Sequence, residues 1–342
     1  MAPSTSFISK RVNDTTFLLI EDDAYGEQPY IYVKIYSEYL LITDTGCNAS
    51  RICHREVKSL RDYLETYPVP AANGRILNPE GKKGYIIICS HCHYDHILGI
   101  PQFLSSNPHI IASGFDSSFL LEDLPSHSQC KWRDAPTPKY PISHWARHLE
   151  TYSFKDTRLR IQFLHIPGHV PDSLAWYDID EHHLYVGDTF YERKRTIPIP
   201  ELPDDAGTVP GMPATQAAII FPHEGGNWIQ YMSSLDLLLS FIQYENAKLR
   251  RQHGFSLAEV PRVKVGCGHL TYNADAETMV LEVRALFERI IAGKVPVQGS
   301  GERREIIYDF WIEGDDARYS VMGPRHLAEE AREHFKGASW MN

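Results

Sequence analysis

The stretch IIICSHCHYDHILGI, residues 86–100, limits most strongly how this chain can fold. Its isoleucine run predicts a strand buried on both faces, from Tyr85 to Cys89. A lone histidine after such a strand is usually an ordinary loop residue. Here four ionisable side chains follow the strand together, which indicates a site built at its end. These residues are His91, His93, Asp95 and His96.

The spacing of these four residues predicts two neighbouring metal sites. His91 and His93 are two residues apart, so their side chains project to the same side of extended chain. Asp95 and His96 come where the chain turns into a helix predicted from Ile97 to Leu104, and they can reach a second point beyond the first. Imidazole and carboxylate groups suit Zn²⁺, and a catalytic zinc usually has about three protein ligands and one open position.

Four ligands are too few for two metals, and three further segments offer a histidine or an aspartate at a strand end. HIPGH ends at His169, VGD ends at Asp188 and GCGH ends at His269. Each has a glycine beside it, which lets backbone or ligand approach closely. Taken singly, each is more often a turn or loop residue. Their joint occurrence predicts metal ligands.

The remaining pattern predicts an α/β (α+β) fold with two packed sheets and helices outside them. Residues 16–44 alternate as three antiparallel strands, and residues 54–67 have helical spacing. Two longer helices are predicted at 229–252 and 275–292, the second with Asn273 or Asp275 as a start signal and Gly293 as a stop. In the turn DIDEHHL, His182 and His183 are expected to be exposed. Further strands are predicted at 158–165, 173–179, 183–188, 262–268 and 304–312.

The length of 342 residues exceeds the usual size of one domain. The connections from 96 to 169 and from 188 to 269 are unusually long, so we expect one domain over 1–342 with insertions at about 105–157 and 192–258. Within the second insertion, the proline-rich stretch 195–213 cannot be a central strand and is expected to be a covering loop.

Charge and composition limit the partners of the chain. Its formal net charge of −10 argues against nucleic acid, because binding to phosphates needs clustered Lys and Arg. The N-terminal stretch MAPSTSFISKRVNDTT lacks the apolar core of a signal peptide, and no run resembles a membrane span. The six cysteines show no small disulfide scaffold. A cytoplasmic protein with thiols and no membrane partner is therefore predicted.

Five segments, ITDTG, SHCHYDH, HIPGH, VGD and GCGH, resemble in this order the five motifs of the metallo-β-lactamase fold hydrolases. The resemblance spans roughly residues 40–270 and implies a four-layer αββα sandwich with the site at one edge. It implies one metal on His91, His93 and His169. It also implies a second metal on Asp95, His96 and His269, a bridging Asp188, and an Asp44 that orients ligands by hydrogen bonds.

The same resemblance implies two Zn²⁺ ions per chain, with iron or manganese remaining possible. In the iron-containing flavoproteins of the family a carboxylate typically replaces the residue at position 93, so a hydrolytic centre is favoured. A hydroxide bridging the two metals would attack a carbonyl carbon, and Asp95, or a water beside it, could pass a proton to the leaving atom. Tyr191 matches a tyrosine that steadies the oxyanion in the family's lactonases. Its alternative role is an aromatic pocket wall.

The substrate is predicted from a narrower resemblance. The segment GHVPDSLAWYDIDEHHLYVGDTFY is similar to fungal members with detoxifying lactamase or lactonase activity. We therefore expect a small cyclic amide or ester as substrate. A thioesterase of the glyoxalase II or polyketide type, a binding module without activity and a nuclease are the alternatives, and a homodimer is open. Four aromatic residues could wall an apolar cavity or be plain core: Phe190, Tyr191, Phe221 and Trp228.

Overall fold

The computed structural model describes residues 3–194, 217–253 and 260–341. It divides into two compact units, the first within residues 3–147 and the second formed by the described residues from 148 onward. The proline-rich stretch predicted to be a covering loop, 195–213, lies outside the described residues. A single domain over 1–342 with inserted segments at about 105–157 and 192–258 stays a prediction.

The first unit is built on a seven-stranded sheet whose strands follow one another in chain order. The first four strands are antiparallel, and the last four, from the fourth onward, are parallel. Parallel strands are usually covered on both faces, as the unbroken burial of the isoleucines in the fifth strand shows. The strands are β1 Phe7–Arg11, β2 Thr16–Glu21, β3 Tyr30–Ile35, β4 Tyr39–Thr43, β5 Gly84–Ile88, β6 His109–Ser113 and β7 His144–Ala146.

The core of the first unit forms between this sheet and its helices. Helix α1, Leu60–Thr66, begins at Ser59, whose side chain accepts the Asp62 amide, and buries Leu60 and Leu64. Short helices α2 Tyr94–Ile97, α3 Ser117–Glu122 and α4 Leu124–His127 follow. The helix predicted from Ile97 to Leu104 is wrong as one element. Helix α2 ends at Ile97, and a 3₁₀ segment occupies Ile100–Ser106.

The second unit contains two sheets. The larger has the order β14-β13-β11-β10-β9-β8 and the smaller has the order β12-β17-β16-β15. The larger sheet includes β8 Thr151–Phe154, β9 Thr157–His165, β10 Leu174–Asp178, β11 His183–Tyr185, β13 Lys264–Gly266 and β14 Ala274–Asp275. The smaller one comprises β12 Ile219–Ile220, β15 Val297–Arg303, β16 Ile306–Ile312 and β17 Ser320–Pro324.

Three helices complete the second unit: α5 Trp228–His253, α6 Ala276–Ile291 and α7 Arg325–His334. Helix α6 begins at Asp275, whose carboxylate accepts the Thr278 amide at 3.0 Å, and Gly293 follows its end with a φ of 73°. Asp275 was one of two predicted start signals, with Asn273 as the other, and Gly293 was the predicted stop. The apolar faces of α5 and α6 share one core with the sheet residues. No helix in the described ranges is long and apolar enough to cross a membrane.

The predicted exposure of His183 is wrong. Its side chain is 1% exposed and stacks on Tyr185, with ring centroids 4.6 Å apart. The residue belongs to β11 rather than to the turn before it, so its ring packs on the sheet beside Tyr185. The five strands predicted in the second unit are all present, and each end lies within three residues of its predicted position.

Candidate metal centre

The chain after β5 brings the ring nitrogens of two predicted ligands side by side. His91 Nε2 lies 2.9 Å from His93 Nδ1, and the Ser90 hydroxyl lies 3.0 Å from His91 Nδ1. His93 is the N-cap position of α2, so the chain changes from extended to helical there. Both imidazoles are buried, which holds them in fixed positions. The loop therefore places the side chains of His91 and His93 together, as their spacing of two residues predicts.

Asp44 fixes the ring of His96 from behind, as predicted. Its Oδ2 lies 2.9 Å from His96 Nδ1, and its two oxygens accept the amide and hydroxyl of Ser90 at 2.8 and 2.7 Å. A histidine whose Nδ1–H is bonded to a carboxylate presents Nε2 as a lone pair. That Nε2 lies 3.3 Å from Asp95 Oδ2. The amide and the hydroxyl of Thr45 both donate hydrogen bonds to the His96 carbonyl, at 2.7 and 2.9 Å.

The second unit holds the other three predicted ligands. His169 Nδ1 lies 2.9 Å from the Ile220 carbonyl of β12. A carbonyl only accepts, so Nδ1 carries the ring hydrogen and Nε2 presents a lone pair. Asp188 follows β11, and its Oδ2 lies 3.3 Å from His269 Nε2. The ring of Tyr191, 7% exposed, meets the His269 ring edge to face at 5.7 Å between centroids.

The donor atoms fit zinc by type, and two of the three donor pairs also fit it by spacing. With Zn–N bonds of about 2.0–2.1 Å, two ligand nitrogens of a tetrahedral zinc lie about 3.3–3.4 Å apart. The three donor pairs just described are separated by 2.9, 3.3 and 3.3 Å. Neutral imidazoles braced through their second nitrogen are the usual form of a histidine ligand. The described part of the chain thus contains two groups of His and Asp side chains that could hold a metal ion.

Comparison with known proteins identifies the family of the chain. The model of the metallo-beta-lactamase superfamily matches residues 25–241. The chain belongs to this superfamily. The putative transcription factor avaE of Aspergillus versicolor is 31% identical over 337 residues, which cover 96% of this chain and 89% of that protein. The predicted family and the predicted α/β fold class, with its αββα sandwich, are confirmed by the family match.

Other similarities are more distant. A hydroxyacylglutathione hydrolase of Psychromonas ingrahamii is 29% identical over 105 residues, 31% of this chain and 32% of that protein. Among solved structures, a metallo-beta-lactamase family protein of Thermus thermophilus is 17% identical, with 85% of each chain covered and a TM-score of 0.49. The metallo-beta-lactamase of Pontibacter korlensis is 10% identical, with 82% and 98% covered and a TM-score of 0.46. The chain is thus a hydrolase of the metallo-beta-lactamase superfamily, and its described residues include His and Asp groups that could hold a metal ion.

Sequence reasoning missed three residues that contact the predicted ligands: Ser90, Thr45 and Gln129. Ser90 and Thr45 directly adjoin His91 and Asp44, so the motifs themselves could have indicated them. Gln129 lies 36 positions after His93, and no periodicity connects the two residues. All four aromatic residues considered for a cavity wall belong to the buried core of the second unit: Phe190, Tyr191, Phe221 and Trp228.

Proposed function

We propose that this chain is a two-metal hydrolase that opens the ring of a small cyclic amide or ester. One ion would be held by His91, His93 and His169, and the other by Asp95, His96 and His269, with Asp188 shared between them. Both proposed sets draw on the groups of side chains that could hold a metal ion. The observation that carries the proposal is the short spacing within three donor pairs, each 2.9 to 3.3 Å apart.

Two zinc ions, when bound, would supply Lewis-acid polarisation of the substrate carbonyl and a water that is acidic near neutral pH. The protein side chains supply the remainder. Asp44 and Ser90 hold His96 and His91 in one tautomer through fixed hydrogen bonds, so no reorganisation is needed when substrate arrives. Asp95, with one oxygen beside His96, offers its carboxylate to carry a proton to the leaving nitrogen or oxygen.

Tyr191 is proposed to donate its phenolic hydrogen to the carbonyl oxygen as negative charge develops there. Its ring packs on that of His269, and it is 7% exposed, so the phenol is held in a nearly dry position. Donors held in this way act strongly, because a low local dielectric increases their effect. Tyr191 is thus assigned a part in catalysis besides its place in the core, whereas Phe190, Phe221 and Trp228 are assigned to the core alone.

A thioester is the second candidate substrate, because part of the chain is similar to a hydroxyacylglutathione hydrolase. The same donor set would serve either reaction, since both begin with attack on a carbonyl carbon. The leaving group separates them: a thiolate leaves without a proton, whereas an amide nitrogen needs one. A substrate panel of one γ-lactam, one γ-lactone and one acyl thioester therefore discriminates between the candidates.

We also propose that the partner is a small molecule and that nucleic acid is excluded. The formal net charge of −10 supports this, because a phosphate backbone would be repelled. The relative from Aspergillus versicolor carries the name of a putative transcription factor, so the point needs a direct test. Retarded migration of DNA or RNA with this protein at physiological salt would contradict the proposal. A cytoplasmic location and a homodimer belong to the same set of proposals.

The deciding experiment combines metal content with turnover. We expect two zinc ions per purified chain and hydrolysis of the lactam or lactone in preference to the thioester. His93→Ala should lose metal and nearly all turnover while its circular dichroism stays that of the wild type, because the sheets have their own core. His54→Ala, which changes an exposed histidine of the same unit, is the control. Full metal content and normal rates in His93→Ala would refute the assignment.

A further inference from the structure

Gln129 contacts a proposed metal ligand, His93, at the ring nitrogen that does not face His91. Its Nε2 lies 3.2 Å from His93 Nε2, while His93 Nδ1 faces His91 Nε2 at 2.9 Å. The two nitrogens of the His93 ring therefore face different partners. One partner is the proposed metal group, and the other is a side-chain amide.

The backbone holds Gln129 in this place. The Tyr94 amide donates to the Ser128 carbonyl at 2.8 Å, which ties the segment after α4 to the residue that follows His93. Gln129 itself has a φ of 61°, in the left-handed region that non-glycine residues rarely adopt. Gln129 follows Ser128, the C-cap of α4, and a left-handed residue commonly ends a helix at this position. The turn brings the side-chain amide of Gln129 to His93.

A side-chain amide can serve either tautomer of a histidine ring. If its NH₂ faces Nε2, that nitrogen is the acceptor and the ring hydrogen is on Nδ1. If the amide is turned over, its oxygen accepts from Nε2–H, and Nδ1 presents a lone pair. Only the second arrangement lets His93 bind a metal through Nδ1. A carboxylate can only accept a hydrogen bond. Asp44 beside His96 therefore permits only the tautomer whose facing ring nitrogen carries the hydrogen.

We infer that Gln129 is a positioning residue for His93, and that its amide oxygen accepts Nε2–H when Nδ1 binds a metal. The inference rests on the proposed function, since it needs the His91 and His93 group to hold an ion. Because the amide also suits the opposite tautomer, His93 is less committed to metal than His96, which a carboxylate braces. The ion held with His93 is therefore the more easily lost of the two.

Two substitutions separate the acceptor from the rest of the residue. Gln129→Leu removes both polar atoms at similar size, and Gln129→Glu keeps an acceptor while it removes the NH₂ donor. Neither new residue favours the left-handed conformation, so the backbone strain is matched between them. Gln102→Leu is the control, because Gln102 is also half-buried in the first unit and its side chain bonds Arg61 and Asn48 rather than a histidine.

The readouts are zinc affinity, by competition with a chelator, and the imidazole ¹⁵N shifts of His93. We expect Gln129→Leu to weaken the more weakly bound zinc by about 10- to 100-fold, as loss of a group that orients a ligand typically does. Gln129→Glu should bind that zinc at least as tightly as the wild type and show His93 in the Nε2–H form even without metal. Gln102→Leu should match the wild type in both measurements.

The outcomes separate this inference from the proposed function. If the wild type binds two zinc ions and the leucine and glutamate variants bind them equally well, Gln129 has no positioning role. The inference also fails if the glutamate variant loses zinc as the leucine variant does, because the donor would then have been the necessary group. A wild-type protein that binds zinc but hydrolyses no substrate refutes only the function. A wild type without zinc affinity overturns both.

Discussion

Replacing Gly168 by alanine should weaken the second unit and also its part of the proposed metal centre. An alanine Cβ at this position would lie 2.6 Å from Tyr231 Cβ, 2.7 Å from Tyr231 N and closer still to Tyr231 Cα. Gly168 also has a φ of 143°, which L-residues rarely adopt. The neighbour is helix backbone rather than the end of a flexible side chain, so local adjustment cannot relieve the overlap.

Three hydrogen bonds prevent α5 from moving away as a whole. The Asn227 amide donates to the Gly168 carbonyl at 2.8 Å, and the Ser234 hydroxyl donates to the Pro167 carbonyl at 2.6 Å. The Tyr231 hydroxyl donates to the Thr189 carbonyl, also at 2.6 Å. Helix α5 therefore braces the segment before His169 and the residue after Asp188 at once. A displacement of the helix would disturb two ligand segments.

Gly314 provides the matched control, because it has the same φ of 143° and nothing within 4 Å of an added Cβ. Backbone strain costs on the order of 1–3 kcal/mol at either glycine. Overpacking adds typically 1–3 kcal/mol, and it applies at Gly168 alone. We expect Gly168→Ala to lower the free energy of unfolding by about 2–6 kcal/mol, and Gly314→Ala by about 1–3 kcal/mol.

The assay is urea unfolding of both variants in the presence of a chelator, which separates folding from metal binding. Zinc content is then measured on protein prepared without chelator. Gly168→Ala should bind less zinc than the wild type, whereas Gly314→Ala should bind the same amount. Equal unfolding free energies in the two variants would show that α5 does not hold Gly168 closely, and the reasoning about the brace would be wrong.

Three shorter predictions test two residues of the proposed centre and one buried carboxyl group of the first unit. Asparagine tolerates the left-handed φ of 61° at position 44. Asp44→Asn should weaken zinc binding by about 10- to 100-fold in chelator competition. An unchanged affinity would show that Asp44 does not orient His96 for metal binding. Tyr191→Phe should lower kcat by about 10²- to 10³-fold at constant zinc content; an unchanged kcat would reduce Tyr191 to packing. Burial raises the pKa of Glu21 to about 8, so the neutral carboxyl is favoured in the folded state. Unfolding free energy should therefore fall between about pH 4.5 and pH 8, and Glu21→Gln should flatten that slope; an equal slope in both proteins would contradict the shift.

The ligand motifs were readable from the sequence because each one is local. Alternation places His91 and His93 on one side of an extended chain, and the isoleucines before them mark the strand that ends there. The same holds for Asp188 and His269, which follow the short strands β11 and β13. Local patterns of this kind depend only on backbone geometry and on burial, which is why they survive without any knowledge of the rest of the fold.

One error came from a local signal that was overlooked, and the other from packing within the sheet. The apolar run from Ile97 to Leu104 suggested one helix, but Pro101 lacks the amide hydrogen that would continue α2, so the chain continues as a 3₁₀ segment. The close approach of this segment to Thr45 depends on Gly99, where an added Cβ would lie 2.9 Å from Thr45 Cβ. His183 was expected in a polar turn, yet its ring stacks on Tyr185 within the sheet.

The residues beside the ligands show the same division between local and distant information. Asp44 could be predicted, since its motif lies directly after β4, and the structure gives it a hydrogen bond to His96 at 2.9 Å. Gln129 could not, because its approach to His93 depends on a left-handed turn and on one backbone hydrogen bond to Tyr94. A carboxylate braces one histidine and an amide braces the other. The sequence motif, identical in residue type at His93 and His96, therefore hides a difference in how firmly each proposed ligand is committed to its metal.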